Sequence, residues 1–122
     1  AAAELTEYGE QAKQYMRDVL AQSNDENVKA TCIHGLGNIY DYESIDIMLE
    51  GLDSDSPVIQ GRCLVAVRKL IGRSFHFDPN MSEQERKKRI AQIRKEWEQI
   101  RDSGLIEDFK ARMLRREQND ES

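Results

Sequence analysis

The chain of 122 residues is predicted to form a single all-α domain, because its length allows one hydrophobic core. Apolar residues recur three and four positions apart in successive segments, and none of these segments alternates apolar and polar residues over the length of a strand. Two of the segments also match each other at a constant offset of 31 residues. Helical periodicity together with an internal repeat indicates helices that stack in pairs.

The periodic segments predict helices whose ends coincide with residues that favour helix boundaries. They span residues 5–21, 26–40, 42–52, 57–71, 83–103 and 105–116. Ser23 followed by Glu26 has the capping-box pattern and is expected to begin the second helix. Asp41 is the expected N-cap of the third helix. Pro57 occupies the first position of the fourth helix, where a missing amide costs nothing, and Gly72 ends that helix.

An aromatic loop separates the fourth and fifth helices. Phe75 and Phe77 in this loop are expected to cover the apolar end of the stack, which a terminal repeat must hide from water. Asp78, held extended by the proline that follows it, is expected to pair with Arg86 on the fifth helix. Trp97 lies in register with the isoleucines of the fifth helix and is therefore predicted to be a core residue.

The second and fourth helices match position for position, and a turn rich in Asp and Ser precedes each of them. The equivalent pairs are Val28 with Ile59, Cys32 with Cys63, Ile33 with Leu64, Gly35 with Ala66, and Leu36 with Val67. This pattern is similar to the HEAT-like repeat, whose units carry an aspartate turn, a Val-Arg-like pair and an Ala-x-x-Ala-Leu segment. Gly72, the loop before Pro79 and the helix bearing Trp97 resemble the ending of bacterial HEAT-repeat proteins of unassigned function.

The resemblance to the HEAT-like family implies a short right-handed α-α superhelix of about five to six helices. One domain is expected over residues 1–116, followed by a disordered tail at 117–122. The parts of the domain are repeat units at about 23–52 and 53–72 and capping helices at about 83–103 and 105–116. HEAT-like repeats are mostly recognition surfaces, so the resemblance implies binding rather than catalysis.

Charge is unevenly distributed along the chain. Residues 1–57 carry a net charge of −9 and residues 58–122 a net charge of +4, although the whole chain carries only −5. We expect partners to select on this polarity. No apolar run approaches the ~18 residues that a membrane span needs, so no membrane association is predicted. Two cysteines make no disulfide framework, which favours a cytoplasmic location, while the missing initial methionine leaves export open.

The candidate partner-binding surface is acidic. In HEAT-like stacks the second helix of each pair lines the concave face, and the resemblance gives that place to the third helix and to the first. The expected surface residues are Glu7, Glu10, Glu43, Asp46, Ile47 and Glu50. Ile47, surrounded by carboxylates, is the expected anchor for a basic partner protein. An ordinary solvated helix face explains the same residues equally well.

A basic surface on the fifth helix is the alternative, and it would contact nucleic acid or an acidic protein. Its residues are Lys87, Lys88, Arg94, Lys95 and Arg101. Further basic residues follow on the sixth helix: Lys110, Arg112, Arg115 and Arg116. Interspersed glutamates and the lack of interleaved aromatic residues favour ordinary charge ladders over nucleic-acid binding.

The sequence offers little for catalysis or metal binding. It contains no Gly-rich phosphate loop, no Gly-x-Ser-x-Gly elbow and no His-Glu-x-x-His motif. Cys32 and His34 point to different sides of a helix, so core packing is favoured over a zinc site for Cys32 and Cys63. We therefore predict a non-catalytic protein-interaction or scaffolding module without a cofactor. Nucleic-acid binding and a structural role within a larger solenoid are the alternatives, and the oligomeric state stays open.

Overall fold

A computed structural model describes residues 2–72 and 75–120, and it places the side chains of residues 9–72 and 75–116. This part of the chain consists of helices joined by turns and loops, with no strand, which confirms the predicted all-α fold. In chain order the elements are α1 (Ala2–Gln22), α2 (Glu26–Asn38), a 3₁₀ turn (Tyr42–Ser44), α3 (Ile45–Gly51), α4 (Pro57–Ile71), α5 (Glu83–Asp102) and α6 (Leu105–Asp120). None of the described helices combines the length and the apolar composition needed to cross a bilayer.

Several helix ends differ from the prediction by a few residues, and the third predicted helix differs most. The third predicted helix, 42–52, is divided, because the chain first makes the 3₁₀ turn and only then enters α3. Asp41, the expected N-cap, makes no cap hydrogen bond, since its carboxylate is engaged by Arg17. The helix α6 continues to Asp120, past its predicted end at residue 116. Residues 121 and 122 lie outside the described part.

The start of α2 is set by an aspartate. The carboxylate of Asp25 accepts hydrogen bonds from the amides of Asn27 and Val28 at 2.9 and 3.1 Å. The predicted capping box of Ser23 and Glu26 is therefore wrong, and the Ser23 hydroxyl instead accepts from the amide of Asp25 at 3.1 Å. Two of the orphan amides at the helix start are thus satisfied by one side chain.

The boundaries of α4 agree with the prediction. Pro57 is its first residue, and Ser56 before it accepts a hydrogen bond from the amide of Ile59 at 3.3 Å. Gly72 ends the helix with a φ of 72°, the left-handed conformation that glycine adopts without strain. A serine also caps α5, where Ser82 accepts from the amide of Glu85 at 3.2 Å.

The two repeat-related helices, α2 and α4, pack directly against each other and run in the same direction. At their amino-terminal ends, the hydroxyl of Ser56 donates a hydrogen bond to the carboxylate of Glu26. At their carboxyl-terminal ends, Nζ of Lys69 donates to Oδ1 of Asn38 at 2.8 Å. Because Asn38 and Lys69 are 31 residues apart, the offset found in the sequence also separates neighbouring positions in space.

The fifth helix runs in the opposite direction to α3. Asp46, near the start of α3, lies 3.6 Å from Arg94, whereas Asp53, after the end of α3, lies 2.7 Å from Arg86 earlier in α5. The helices α3 and α4 form a hairpin and are antiparallel, so α5 is parallel to α4. The loop between α4 and α5 therefore returns along the length of α4. The predicted pair of Asp78 with Arg86 is wrong, because Arg86 donates its hydrogen bond to Asp53 instead. The carboxylate of Asp78 accepts a hydrogen bond from the amide of Asn80 in the same turn.

The loop between α4 and α5 covers apolar surface, as predicted. Phe75 and Phe77 are both buried, and Nη2 of Arg68 donates to the carbonyl of Phe75 at 2.8 Å. Trp97 is buried as well, which confirms its place in the core. One hydrophobic cluster of described residues reaches from Leu20 in α1 to side chains of α6, so the helices share a single core.

Close packing of α3 on α4 depends on the absence of a side chain at Gly51. A Cβ at this position would lie 2.3 Å from Sγ of Cys63, well inside van der Waals contact. Gln60 completes the same junction by donating a hydrogen bond from Nε2 to the carbonyl of Leu52 at 3.0 Å. The α3–α4 hairpin is thus held by a small residue on one helix and a buried amide on the other.

Candidate functional site

The predicted acidic surface is partly charge-compensated. Glu43 and Asp46 are exposed, but Glu43 lies 3.1 Å from Nη1 of Arg17, and Asp46 lies 3.6 Å from Nη1 of Arg94. Glu50 is exposed and forms no ion pair with a described side chain. This surface therefore carries less free negative charge than the amino-acid composition of α3 suggests.

The remaining members of the predicted acidic surface are divided between α3 and α1. Ile47 is 36% exposed and points away from the core, as expected. Glu10 lies on α1 and pairs with Lys13 at 3.0 Å. The side chain of Glu7 lies outside the described part of the chain. After the hydrogen bond to Asp41, Glu10 also helps to raise the pKa of Arg17, which pairs with Glu43, so the charge of Glu10 acts on the same part of the surface.

A buried ion pair lies beneath this surface. Arg17 donates from Nε to Oδ2 of Asp41 at 2.7 Å and from Nη2 to Oδ1 at 2.5 Å, a bidentate arrangement. The side chain of Asp41 is 3% exposed and that of Arg17 is 13% exposed. The hydrogen bond to Asp41 raises the pKa of Arg17, against the lowering effect of burial. Arg17 therefore has a structural role, which the sequence did not reveal because 24 residues separate the partners.

The alternative basic surface on α5 is also partly paired. Three of its members form ion pairs: Lys87 with Glu83 at 3.1 Å, Arg94 with Asp46 at 3.6 Å, and Arg101 with Asp102 at 3.2 Å. Lys88 and Lys95 are exposed and form no ion pair with a described side chain. Positive and negative groups thus alternate along α5, as in an ordinary helical charge ladder.

Both cysteines are packed core residues. Cys32 and Cys63 are free and buried. Burial raises the pKa of Cys32, and it raises the pKa of Cys63 to about 12, so both thiols are protonated at neutral pH. Among the residues whose side chains are placed, no three potential ligands come together in a metal-binding group. His34 is exposed, with Nε2 3.0 Å from the side-chain amide of Asn38.

Aromatic rings connect α5 and α6 to the segment that follows α2. Tyr42 stacks on Trp97 with ring centroids 6.0 Å apart, and it meets Phe109 edge-on at 6.3 Å. Tyr40 contacts Phe109 at 5.4 Å from a left-handed backbone with a φ of 54°, which is unfavourable for a bulky residue. Nζ of Lys110 lies 5.7 Å from the centre of the Tyr42 ring. These contacts hold the first turns of α6 against the core.

A groove that the sequence did not predict lies along α6, beside these rings. Its inner part, of about 260 Å³, lies between the carboxyl-terminal end of α4 and the first turns of α6. Its outer part, of about 380 Å³, continues along α6. The two parts share Phe109 and Arg112, so they form one continuous surface, which we call the α6 groove.

The α6 groove combines an apolar floor with basic edges. Its apolar residues include Leu70, Ile71, Ile106, Phe109 and Met113. Its basic residues are Lys69, Arg112, Arg115 and Arg116. Arg112 and Arg116 are exposed and form no ion pair with a described side chain. Their guanidinium groups are therefore available to carboxylates or phosphates of another molecule.

Comparison of the chain with protein-family models, with curated proteins and with solved structures finds no match. The likeness of α2 and α4 to HEAT-like repeats accordingly stays a prediction. Function is inferred below from the side chains of this chain alone.

Proposed function

We propose that the chain is a non-catalytic protein-interaction module that binds its partner in the α6 groove. The observation that carries this proposal is a shallow surface on which the partly buried Phe109 and Met113 lie beside arginines that have no described ion-pair partner. Apolar patches rimmed by polar groups are typical of protein-binding sites. Leu105, which lines the inner part of the groove, is 52% exposed and enlarges the apolar area available to a partner.

The packing of the helices supports a recognition role. The helices α2 and α4 stack in parallel at the spacing of the sequence repeat, as expected for HEAT-like repeats, which mostly present surfaces to other macromolecules. In such a scaffold the core supplies rigidity, and an edge of the stack supplies the binding surface. The α6 groove lies at such an edge, where α6 packs beside the end of α4.

The acidic surface of α3 is the weaker candidate, because two of its carboxylates already have partners. A basic protein would have to displace Arg17 from Glu43 and Arg94 from Asp46 before it could pair with them. Arg112 and Arg116 in the α6 groove require no such exchange with a described side chain. Binding there therefore begins from a smaller desolvation and pairing cost.

A pull-down from a lysate of the source cells tests this proposal with variants that change one surface at a time. Arg112→Glu with Arg116→Glu reverses the charge at the edge of the α6 groove. Lys88→Glu with Lys95→Glu makes the same change in net charge on α5 and is the matched control. We expect a protein that is retained by the wild type and by the α5 control but lost by the groove variant.

Three other results would contradict the proposal. A partner lost only with Glu43→Lys and Glu50→Lys would place binding on α3. A partner released by nuclease would favour nucleic-acid binding instead. Recovery of nothing by the wild type would favour the alternative of a structural segment within a larger solenoid.

A further inference from the structure

The outward side of α4 carries apolar and charged side chains that the core does not use. Val58 and Val65 are 46% and 62% exposed, and their spacing of seven residues places them on the same side of the helix. Between them, nothing lies within 4 Å of a Cβ at Gly61, so the surface there is open. Asp55, just before α4, and Arg62 within it are both exposed. We call these five residues the α4 face.

The two charged groups of the α4 face are free to bind another molecule. The side chains of Asp55 and Arg62 form no hydrogen bond or ion pair with any other described residue. The side chain of Lys69, farther along α4, is by contrast bound to Asn38. A second molecule could therefore pair with both Asp55 and Arg62 without displacing a group of this chain.

We propose that the α4 face binds the same face of a second copy of the chain around a two-fold axis. This inference goes beyond the proposed function, because the α4 face shares no residue with the α6 groove. A dimer joined in this way presents two α6 grooves. A partner with two binding segments would then be held with avidity.

The sequence of charges along α4 makes this face complementary to itself. A two-fold rotation about an axis that crosses the chain midway between Asp55 and Arg62 exchanges these two positions. Asp55 of each copy then faces Arg62 of the other, and the two ion pairs form together. A surface that carries a single sign of charge on a different protein would attract one of these groups and repel the other.

The apolar residues of the α4 face are placed to fill the same contact. Val58 lies three residues after Asp55 and four residues before Arg62, so it stands at the axis, against Val58 of the second copy. The two α4 helices are antiparallel in this arrangement, which also aligns their dipoles favourably. Val65, beyond Arg62, lies against the turn that precedes α4 in the second copy.

The size of the contact sets its strength. Two valines and one reciprocal charge pair form a small interface, which is typical of weak association. A two-fold contact uses the same surface on both copies and therefore closes at the dimer. A head-to-tail contact between the acidic and the basic halves of the chain would instead continue to larger species.

Sedimentation velocity of the full chain from about 10 µM to about 1 mM tests the proposal over the range of weak affinities. We expect the weight-average mass to rise with concentration from the chain mass of 14.1 kDa toward twice that mass, and no further. Circular dichroism of each variant verifies that its helices are intact. Arg112→Glu with Arg116→Glu should dimerise like the wild type, because these residues lie in the α6 groove.

Single charge reversals place like charges opposite each other at two points of the dimer. Arg62→Glu alone and Asp55→Lys alone should each weaken dimerisation by at least about tenfold. An equimolar mixture of the two variants should regain it, because each altered residue then faces an opposite charge. Lys88→Glu makes the same change in net charge as Arg62→Glu and should have no effect. Val58→Ser should weaken the dimer by about tenfold, since both copies lose the apolar side chain.

Several results would overturn the inference. A mass that stays at that of one chain up to the highest concentration would reject self-association. Growth beyond the dimer would assign the contact to the two oppositely charged halves. Failure of the mixed variants to regain the dimer would reject the reciprocal pairing of Asp55 with Arg62. Loss of the dimer in the variant of Arg112 and Arg116 would move self-association to the α6 groove, whereas loss of the dimer through the α4 face leaves the proposed function standing.

Discussion

The guanidinium of Arg17 in α1 holds the buried carboxylate of Asp41 with hydrogen bonds of 2.7 and 2.5 Å. Asp41 stands between α2 and the 3₁₀ turn, where its carbonyl also accepts a hydrogen bond from the hydroxyl of Ser44 at 2.7 Å. One side chain of α1 therefore fixes the turn through which the chain enters α3. The same guanidinium reaches Glu43 at the surface, so Arg17 spans from the interior to solvent.

Removal of Arg17 is expected to destabilise the protein strongly. Arg17→Met leaves the carboxylate of Asp41 buried and unpaired, which lowers the free energy of unfolding by about 3–5 kcal/mol. Urea denaturation at neutral pH measures the change. Asp46→Asn is the control, because Asp46 is 65% exposed, and it should cost less than about 1 kcal/mol. Similar losses of unfolding free energy for the two variants would mean that leaving the buried Asp41 unpaired carries no extra cost.

A methyl group at Gly51 is expected to separate α3 from α4. Gly51→Ala places a Cβ 2.3 Å from Sγ of Cys63, and such overpacking costs about 1–3 kcal/mol. Gly61→Ala is the matched control, because nothing lies within 4 Å of a Cβ at that helical position. The control should raise the free energy of unfolding by about 0.5–1 kcal/mol, since alanine favours the helix over glycine. Thermal or urea unfolding that shows equal effects at both glycines would contradict the close contact.

Stability is expected to fall as the pH rises above 9. Burial raises the pKa of Cys63 from 9.0 to about 12. Burial, and to a lesser extent the nearby charge of Tyr40, raises the pKa of Tyr42 from 10.0 to about 12. Both groups stay neutral in the folded chain but ionise in the unfolded chain. Their contribution is therefore complete below pH 9 and is lost progressively toward pH 12.

Urea denaturation at about pH 8, 9.5 and 10.5 measures this loss, which reaches up to about 1.4 kcal/mol per pH unit for each group. Cys63→Ala removes the thiol and should make the decline with pH shallower. A decline that is identical in Cys63→Ala and in the wild type would show that ionisation of this thiol does not limit stability.

The N-cap of α2 can be assigned by two single substitutions. Asp25→Ala removes the carboxylate that accepts from the amides of Asn27 and Val28, and it should cost about 1 kcal/mol of unfolding free energy. Ser23→Ala should cost less, because the Ser23 hydroxyl accepts only from the amide of Asp25, outside the helix. Chemical denaturation of both variants measures the two losses of unfolding free energy. A larger loss for Ser23→Ala than for Asp25→Ala would support the capping box of Ser23 and Glu26 instead.

Features that depend on local spacing were predictable from the sequence. The helical segments follow from the periodicity of apolar residues, and the neighbouring positions of Asn38 and Lys69 follow from the repeat offset. The direction of α5 was not predictable, because it depends on contacts between distant parts of the chain, such as that of Asp53 with Arg86, which are 33 residues apart. Asp78 was the nearer acid in the sequence, and nothing in the local pattern favours Asp53 over it.

The candidate site was visible only in part. The apolar stripe of α6 and its basic residues could be recognised, but the wall formed by Leu70 and Ile71 exists only once α6 packs beside the end of α4. The acidic surface was overestimated for a related reason. Arg17 and Arg94 come from other helices than α3, so a count of charges along the chain does not show that they neutralise it.

Trp97 is the single tryptophan of the chain, and two ring contacts lead from it to the α6 groove. Tyr42 stacks on its indole, and Phe109, which lines the groove, meets Tyr42 edge-on. A molecule that shifts Phe109 would therefore change the polarity and the quenching around the indole. The wavelength and intensity of the Trp97 fluorescence would therefore report occupancy of the groove without any added label.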